Sequence, residues 1–262
     1  MKRIFALLFF MLLLASASSA VCQESVDSSR VLRVLSFNIL HGETMRGDFD
    51  LEQIARVIRK AEPDLVAMQE VDLYTGRTSG RDLASELGLL TQMVPLFGRA
   101  MPYDGGEYGE GILSGYSFLS TRNHALPAQE GKEPRSALEV HVILKSGDTI
   151  AFVGTHFDHT GEVDRINQAT ELREILAGVD LPVLVAGDLN ATPGSRTMEI
   201  LFSDLKPSSS DMAPTFPSDG PGAKIDYILY GPPERWRVLE SRVICDTVAS
   251  DHCALLSVLE LL

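Results

Sequence analysis

The chain has 262 residues, 45% of them hydrophobic, and a formal net charge of −13 at pH 7. Its length and hydrophobic content are sufficient for a full core in one large domain or two small ones. An acidic chain without a run of Lys and Arg argues against a protein that grips long DNA through its phosphates, although it is compatible with a metal-bridged phosphate at a local site.

Residues 1–22 have the composition of an export signal peptide. Lys2 and Arg3 precede an apolar stretch over residues 4–14, and small residues follow it. The stretch is shorter than the roughly 20 residues that a membrane-spanning helix needs, which favours a cleaved signal over a membrane anchor. We therefore expect an exported protein, periplasmic or extracellular. A lipid anchor on Cys22 is a minor alternative, because the residue before it is larger than a lipoprotein motif allows.

The first third of the chain predicts a strand, a helix and a second strand. Residues 31–37 form the first strand, and Asp50 can cap a helix whose apolar residues follow the helical period. A short buried strand is expected at residues 65–68. Because Asn38 and Glu70 follow these two strands, we expect both side chains at the same edge of the sheet.

The middle of the chain alternates between short strands and helices. The segment at residues 105–111 is so rich in glycine that we expect no regular structure there. Helices are predicted at residues 82–87, closed by Gly88, and at residues 163–177. Strands are predicted at residues 112–114, 137–144, 149–154 and 182–186, the second and third as a hairpin.

The last third contains a long loop and three closing strands, at residues 225–229, 238–244 and 254–262. The loop, at residues 207–222, is a candidate specificity element, since loops of this length are more often functional than idle. Strands outnumber helices, which favours two packed sheets between helical layers over a doubly wound parallel sheet. Cys245 and Cys253 could pair in an exported protein or stay as buried thiols.

Six short polar motifs accompany strand-like segments of the chain. They are Ser36-Phe37-Asn38, Gln69-Glu70, Thr155-His156, Gly187-Asp188-Leu189-Asn190, Lys224-Ile225-Asp226-Tyr227 and Ser250-Asp251-His252. In this order they resemble the endonuclease/exonuclease/phosphatase superfamily of metal-dependent phosphoesterases, from about residue 32 to the C-terminus. The resemblance implies an α/β fold, a four-layer α/β/β/α sandwich with two packed mixed sheets, as one domain over residues 30–262. It also implies a site where strand ends of both sheets meet.

Three residues are candidate metal ligands. Glu70, with Asn38 beside it, is the best ligand by residue type, because Mg²⁺ prefers oxygen atoms and usually takes one or two carboxylates. The resemblance adds Asp251 as a residue near the metal, so we expect Mg²⁺ or Mn²⁺ as the cofactor. A zinc cluster at residues 156–159 is the alternative, but no Cys lies nearby and the other candidates are rich in oxygen.

Five residues are candidates for the catalytic chemistry. His252 exchanges a proton near neutral pH at its ordinary pKa of ~6.5, and a carboxylate can orient its ring. Asp188 and Asn190 lie two residues apart, so an extended backbone would direct both side chains to one side, one toward water and the other toward phosphate. The resemblance implies that Asp226 pairs with His252 and that His156 stabilises phosphate or protonates the leaving group.

Several further residues near these motifs are candidate substrate contacts. A guanidinium can bind phosphate with two donors, and salt bridges to solvent-exposed acids are the alternative for each arginine. His159 could be a second phosphate contact or a surface residue. Gly115 stands where many relatives have a basic residue, which weakens any transfer of nucleic-acid contacts. The other candidates are Arg77, Arg81, Tyr108, Arg135 and Arg165.

Together these observations predict an exported Mg²⁺- or Mn²⁺-dependent hydrolase of phosphoester bonds. The acidic chain favours a small or lipid-derived phosphoester as the substrate, with no stable protein partner and a monomeric state. An exported endonuclease or exonuclease acting on nucleic acid is the alternative, because local metal bridging can overcome global charge. A catalytically silent module that binds a phosphorylated ligand or a protein is less supported, since every matched position keeps a chemically competent side chain.

Overall fold

The computed structural model describes residues 26–262, so the predicted signal peptide and Cys22 lie outside the described residues. Within them the chain forms twelve strands and four α-helices. The strands are β1 (Val31–Asn38), β2 (Leu65–Leu73), β3 (Val94–Tyr103), β4 (Gly106–Ser114), β5 (Phe118–Leu126), β6 (Arg135–Ile143), β7 (Thr149–His156), β8 (Val183–Asp188), β9 (Lys206–Pro207), β10 (Asp226–Gly231), β11 (Trp236–Ile244) and β12 (Ala254–Leu261). The helices are α1 (Leu51–Ala61), α2 (Leu83–Thr91), α3 (Glu162–Ala177) and α4 (Arg196–Phe202). None of the helices over residues 26–262 is long and apolar enough to cross a membrane.

The strands form two six-stranded mixed sheets. The first has the order β11-β12-β1-β2-β4-β3, and the second has the order β5-β6-β7-β8-β10-β9. Each sheet has one parallel pair near its centre, β1 with β2 and β7 with β8, and the remaining pairs are antiparallel. The strands of the two parallel pairs carry Asn38, Glu70, His156 and Asp188.

Three hydrophobic clusters hold the layers together. One lies between the sheets and includes Leu32, Ile112 and Phe152. The other two bury the apolar faces of α1 and α2 against the first sheet and of α3 and α4 against the second. The predicted four-layer α/β/β/α sandwich with two packed mixed sheets is therefore confirmed.

The helix ends follow their capping chemistry. The Asp50 side chain accepts from the backbone N–H of Glu52 and starts α1, as predicted. Helix α2 does not stop at Gly88, as the sequence suggested, but continues to Thr91. A Cβ at Gly88 would lie 2.9 Å from the side chain of Pro95, so this glycine permits close packing of α2 against β3 rather than ending the helix.

The glycine-rich segment is also regular, contrary to expectation. It forms most of β4, which pairs with β2 on one side and β3 on the other. A Cβ at Gly109 would lie 2.0 Å from the carbonyl oxygen of Gly98, so glycine is required here for the close approach of two strands. The edge strands β3 and β5 were not predicted at all.

The long loop has no helix or strand between Pro207 and β10, as predicted, and it is tied to the segment before β12. The backbone N–H of Cys253 donates to the carbonyl of Thr215, and that of Ser218 donates to the carbonyl of Asp251. Cys253 also forms a disulfide with Cys245 at the end of β11, which settles the pairing that the sequence left open.

Candidate active site

The central strands of both sheets converge on one site. The parallel strands β1 and β2 bring Asn38 opposite Gln69, and the parallel strands β7 and β8 bring His156 opposite Asp188. β10 runs antiparallel to β8 and starts at the same edge, so Asp226 also lies opposite Asp188. The Asn38 Nδ2 atom lies 3.3 Å from Asp188 Oδ2, which links the two sheets.

Two site residues have a left-handed backbone. Glu70 has φ 60° at a bulge where the pairing of β2 with β4 shifts, and Asn190 has φ 47° just after β8. The extended backbone expected from Asp188 to Asn190 is therefore wrong. The Asn190 N–H instead donates to Asp188 Oδ1 at 2.9 Å, and its side-chain Nδ2 lies 3.1 Å from His156 Nε2. Because left-handed φ is costly for residues with a Cβ, the surrounding contacts must hold these side chains in the cleft.

His252 and Asp226 form the predicted pair. The Nδ1 atom of His252 lies 3.1 and 3.0 Å from the two carboxylate oxygens of Asp226. Burial alone would lower the pKa of His252, but the charge of Asp226, its hydrogen bond and the charge of Asp188 raise this pKa to about 10. The opposite ring nitrogen, Nε2, lies 3.6 Å from Asp188 Oδ2.

Asp188 lies at the centre of the site. Burial, followed by the charge of Asp226, raises the pKa of Asp188 to about 7. Asp188, Asp226 and His252 place one potential ligand atom each within 4.8 Å of one another. Because His252 Nδ1 faces both oxygens of Asp226, we interpret this group as a hydrogen-bonded pair beside a second carboxylate, that of Asp188, rather than as the metal site.

Glu70 is held from two sides. One of its oxygens accepts from Asn38 Nδ2 at 3.1 Å, and the other lies 3.4 Å from His41 Nδ1. Burial would raise the pKa of Glu70, but the hydrogen bonds with His41 and Asn38 help to lower it to about 2. The Oδ1 atom of Asn38 accepts from the Leu40 N–H at 3.1 Å, so its amide nitrogen faces Glu70. Metal ligation through Asn38 Oδ1 requires this amide to rotate.

Asp251 joins the group from the segment before β12. The hydroxyl of Ser250 donates to the carbonyl oxygen of Asn38 at 2.7 Å, which fixes this segment at the end of β1. The pKa of Asp251 is raised, because burial and the charge of Glu70 outweigh the lowering effect of the nearby charge of His252. Glu70 and Asp251 thus carry carboxylates into the same cavity.

A buried arginine lies behind His156. Arg135 is only 2% exposed, and its Nη1 lies 2.9 Å from His156 Nδ1 and 3.5 Å from the hydroxyl of Tyr108. Its Nη2 donates to Glu133 at 2.8 Å and lies 3.3 Å from His159 Nδ1. Burial, followed by the charge of Arg135, lowers the pKa of His156 well below its usual value. His156 is therefore a neutral ring at neutral pH.

These side chains line a cavity of about 370 Å³. Six of the eight predicted site residues face it, and Asn38 and Asp226 lie behind them in hydrogen-bonded contact. The six are Glu70, His156, Asp188, Asn190, Asp251 and His252. Four of the candidate substrate contacts also line it, namely Arg77, Tyr108, Arg135 and His159.

Two of the candidate arginines have other partners. Arg81 forms an ion pair with Glu86, and Arg165 donates to the carbonyl oxygen of Asp158. Asp158 itself accepts from Thr160 and from the Gly161 N–H, so it organises its own turn. The alternative of a zinc cluster at residues 156–159 finds no support in this arrangement.

Sequence reasoning did not place several residues that lie in or beside the site. His41 approaches Glu70 from a left-handed backbone, with φ 43°, and its position three residues after Asn38 was the available signal. Phe216 reaches in from the long loop, with its ring 4.7 Å from the ring of His252. Tyr103 lines the cavity from β3. Glu110 is fully buried, neither of its oxygens has a hydrogen-bond partner, and burial raises its pKa well above the usual value.

Comparison with known proteins agrees with this geometry. The sequence profile of the Endonuclease/Exonuclease/phosphatase family matches residues 35–252. An endonuclease/exonuclease/phosphatase from Beutenbergia cavernae is 26% identical, with a TM-score of 0.77 over 88% of this chain and 72% of that one. A mannosyl-6-phosphatase from Bacteroides thetaiotaomicron shares the fold at 19% identity, with a TM-score of 0.68 over 88% of this chain and 99% of that one. The human Nocturnin catalytic domain with bound sulfate also shares the fold, at 20% identity, with a TM-score of 0.67 over 89% of this chain and 95% of that one. The chain belongs to the endonuclease/exonuclease/phosphatase family, whose members hydrolyse phosphoester bonds.

Proposed function

We propose that this protein is an exported, Mg²⁺- or Mn²⁺-dependent hydrolase of a small or lipid-derived phosphoester. The observation that carries the proposal is the single cavity that receives both the ring of His252, paired with Asp226, and the carboxylates of Glu70 and Asp251. A proton-exchanging pair and a group of oxygen ligands in one cleft are what hydrolysis of a phosphoester requires.

The residues present fit a hard divalent cation. Four carboxylates, those of Glu70, Asp188, Asp226 and Asp251, gather at the cavity, and the raised pKa values of Asp188 and Asp251 report burial together with mutual repulsion. A cation at Glu70 and Asp251 would relieve this repulsion, and Asn38 would be the third oxygen ligand after rotation of its amide. When bound, the ion would supply charge stabilisation for the phosphoryl oxygens.

The protein side chains divide the remaining tasks. His252 in its neutral form accepts the proton of the attacking water, and Asp226 orients the ring and stabilises the charged form that results. Because the pKa of His252 is raised to about 10, the neutral form is the minor one at neutral pH. Asp188, whose Oδ2 atom lies 3.6 Å from the Nε2 atom of His252, orients that water. Asn190 and His156 present nitrogen atoms to the cavity beside Asp188, where they can donate to phosphoryl oxygens.

The dimensions and walls of the cavity support a small substrate. About 370 Å³ is within the range of small-ligand pockets. Tyr103, Met101 and Phe216 supply apolar surface, while Glu133 stands at the cavity beside Arg135. The similarity in fold to a mannosyl-6-phosphatase makes sugar phosphates a natural first group to test, and Met101 and Phe216 make lipid head groups the second.

Nucleic acid is the second candidate. Arg77 faces the cavity while its guanidinium lies 4.6 Å from the centre of the Tyr103 ring, and exposed aromatic and Arg surfaces of this kind can stack on a base. The charge of the whole chain opposes binding along a duplex, so this candidate is restricted to nucleotides or strand ends.

Export and oligomeric state also belong to the proposal. The disulfide between Cys245 and Cys253 supports an oxidising compartment, which agrees with an export signal over residues 1–22. We expect the mature protein to be periplasmic or extracellular, monomeric and without a stable protein partner.

A substrate panel tests the function. The chain from Gln23 is incubated with Mg²⁺, Mn²⁺ or EDTA and with sugar phosphates, bis-phosphodiesters, sphingomyelin, phosphoinositides, plasmid and single-stranded DNA. Cation-dependent turnover of a small or lipid-derived phosphoester is the expected result. Turnover confined to DNA would favour the nuclease alternative. A folded protein inactive on the whole panel would contradict the proposal.

A further inference from the structure

A terminal nitrogen of Arg135 contacts the Nδ1 atom of His156. The two atoms lie 2.9 Å apart, and the guanidinium cannot turn away because its Nη2 is bonded to Glu133. A guanidinium has five N–H donors and no acceptor, and it keeps its proton under all physiological conditions. At this contact, therefore, Arg135 is the donor and Nδ1 of His156 must accept.

The opposite ring nitrogen of His156, Nε2, faces the side-chain amide of Asn190. His156 Nε2 lies 3.1 Å from Asn190 Nδ2, whose amide orientation is fixed by a bond to the Phe157 carbonyl oxygen. A neutral imidazole carries one N–H, so both nitrogens cannot accept at once. An N–H on Nδ1 would point at a charged guanidinium, whereas an N–H on Nε2 would point at a neutral amide. The first arrangement costs more free energy than the second. The ring proton is therefore on Nε2, where Asp188 Oδ2 at 3.5 Å is its nearest acceptor.

We propose that Arg135 is a positioning residue that fixes the tautomer of His156, so that its Nε2–H always faces the cavity. The Nε2–H of His156 and the Nδ2–H of Asn190 then form two adjacent donors that lack a close acceptor, since Asp188 Oδ2 lies 3.5 Å from Nε2. A phosphoryl oxygen entering the cavity supplies that acceptor. This catalytic consequence rests on the proposed function, whereas the tautomer itself does not.

Arg135 stands in the wall of the cavity, but its side chain is only 2% exposed. Its Nη1 atom faces His156 Nδ1 and the hydroxyl of Tyr108, so this nitrogen acts on the reaction through the ring of His156. Because the ring is neutral, His156 acts as a hydrogen-bond donor, and the exchange of protons is left to His252.

The direct test is the tautomer of His156 in the wild-type protein. Nitrogen-15 NMR of the labelled mature chain at pH 7, without metal or substrate, distinguishes protonated from unprotonated ring nitrogens, and a His156→Gln spectrum assigns the signals. We expect a protonated Nε2 and an unprotonated Nδ1. A ring protonated on Nδ1, or on both nitrogens, would overturn the proposal whatever the substrate of the enzyme is.

A pair of variants tests the role of Arg135. Arg135→Met removes the donor, and both tautomers should then appear while kcat falls about tenfold to a hundredfold, as for other partners that orient a functional His. KM should change much less. Arg135→Lys keeps a charged donor and should retain the Nε2–H tautomer and most of kcat. Arg122→Met, at an exposed position on β5, is the control for loss of a positive charge.

The outcomes are separable. Retention of the pure Nε2–H tautomer in Arg135→Met would show that Arg135 does not set it. If Arg135→Met does not fold, the wild-type spectrum and the Arg135→Lys variant test the proposal in its place. A mixture of His156 tautomers in a folded Arg135→Lys variant would count against the role of Arg135. Absence of any hydrolysis by wild-type protein would contradict the proposed function and leave the NMR test valid.

Discussion

His252 and Asp226 face each other across the seam of the sandwich, with Nδ1 of the ring 3.1 and 3.0 Å from the two carboxylate oxygens. Asp226 comes from the first residue of β10 in one sheet, and His252 comes from the segment before β12 in the other. The pair therefore depends on the packing of the two sheets, and it couples the integrity of the fold to the chemistry of the site.

Loss of the Asp226 carboxylate should slow the reaction far more than it weakens substrate binding. Asp226→Asn leaves an amide of the same size that cannot stabilise a charged His252, so we expect kcat to fall roughly 10³- to 10⁴-fold, as for other carboxylates that orient a catalytic His. Steady-state kinetics with the best substrate measure this effect. Asp219→Asn, at an exposed position in the long loop, is the matched control. A loss of less than tenfold would remove Asp226 from the catalytic group.

Cation binding should stabilise the folded protein, and Glu70 should be required for it. At a hundredfold excess over Kd, a ligand of the folded state adds about 2.7 kcal/mol, which is a rise in Tm of about 5–10 °C for a domain of this size. We expect this rise with Mg²⁺ or Mn²⁺ in the wild type and in Glu133→Gln, and its loss in Glu70→Gln. Equal rises in all three proteins would place the cation elsewhere.

The disulfide should support the catalytic segment. Cys245 and Cys253 close a short loop that carries Asp251 and His252. Replacing both with Ser should reduce the free energy of unfolding by about 2–3 kcal/mol. The same change should lower kcat, because the two functional residues lose their fixed positions.

A variant with matched stability separates these two effects. Leu172→Ala removes buried side-chain volume from the core between α3 and the second sheet, far from the loop, and is expected to cost about 2–5 kcal/mol. It should lower Tm with kcat nearly unchanged. An equal loss of kcat in both variants at equal loss of Tm would show that the disulfide has no specific effect on the site.

Lys224 should make stability depend on alkaline pH. Its Nζ is buried without a hydrogen-bond partner, and burial, opposed by the charges of Asp226 and Asp211, lowers its pKa from 10.5 to about 8. Between these two values Lys224 binds more protons in the unfolded chain than in the folded one, so its contribution to stability rises with pH through this window. His252, whose pKa is raised to about 10, makes the opposite contribution, so the effect of Lys224 is the difference between wild type and a Lys224 variant. The full shift corresponds to about 3 kcal/mol, which is an upper bound.

The measurement is urea unfolding between pH 7 and pH 10. The range stops at pH 10 because burial raises the pKa of Tyr116 to about 12. Above pH 10 this tyrosine ionises in the unfolded chain before it does so in the folded one, so stability should fall as the pH rises further. Lys224→Met should be more stable than wild type at pH 7, and this difference should shrink as the pH rises to 10, while Lys206→Met, an exposed control, should behave like wild type. A difference between wild type and Lys224→Met that does not change with pH would show that Lys224 is solvated.

The sequence was sufficient to predict the layers and most of the site, because the informative residues stand directly after apolar strands. Asn38, His156 and Asp188 end strands in the structure as they do in the hydrophobic pattern. The parallel pairing that brings those ends to one edge follows from the strand and helix order. For this reason the site could be assembled before any contact was known.

The parts that could not be predicted depend on long-range packing. The glycine-rich pattern of β4 indicated a loop, although the glycines serve close strand contacts, and this concealed Glu110. The left-handed backbone of Asn190 is stabilised by partners 34 residues away in the chain, among them His156. Phe216 was visible in the sequence as an apolar residue of the long loop, but its contact with the ring of His252 was not, since only the folded loop brings the two rings together.

Hydrolysis of a phosphoester by one cavity with a divalent cation can be measured as the rate in wild type, Asp188→Ala and His252→Ala. The substrate is the best of the panel, measured with Mg²⁺, after EDTA and after Mg²⁺ is restored, with circular dichroism as the check on folding. We expect turnover by wild type that EDTA abolishes and Mg²⁺ restores, and none by either variant. Substantial turnover in EDTA, or in both folded variants, would contradict it.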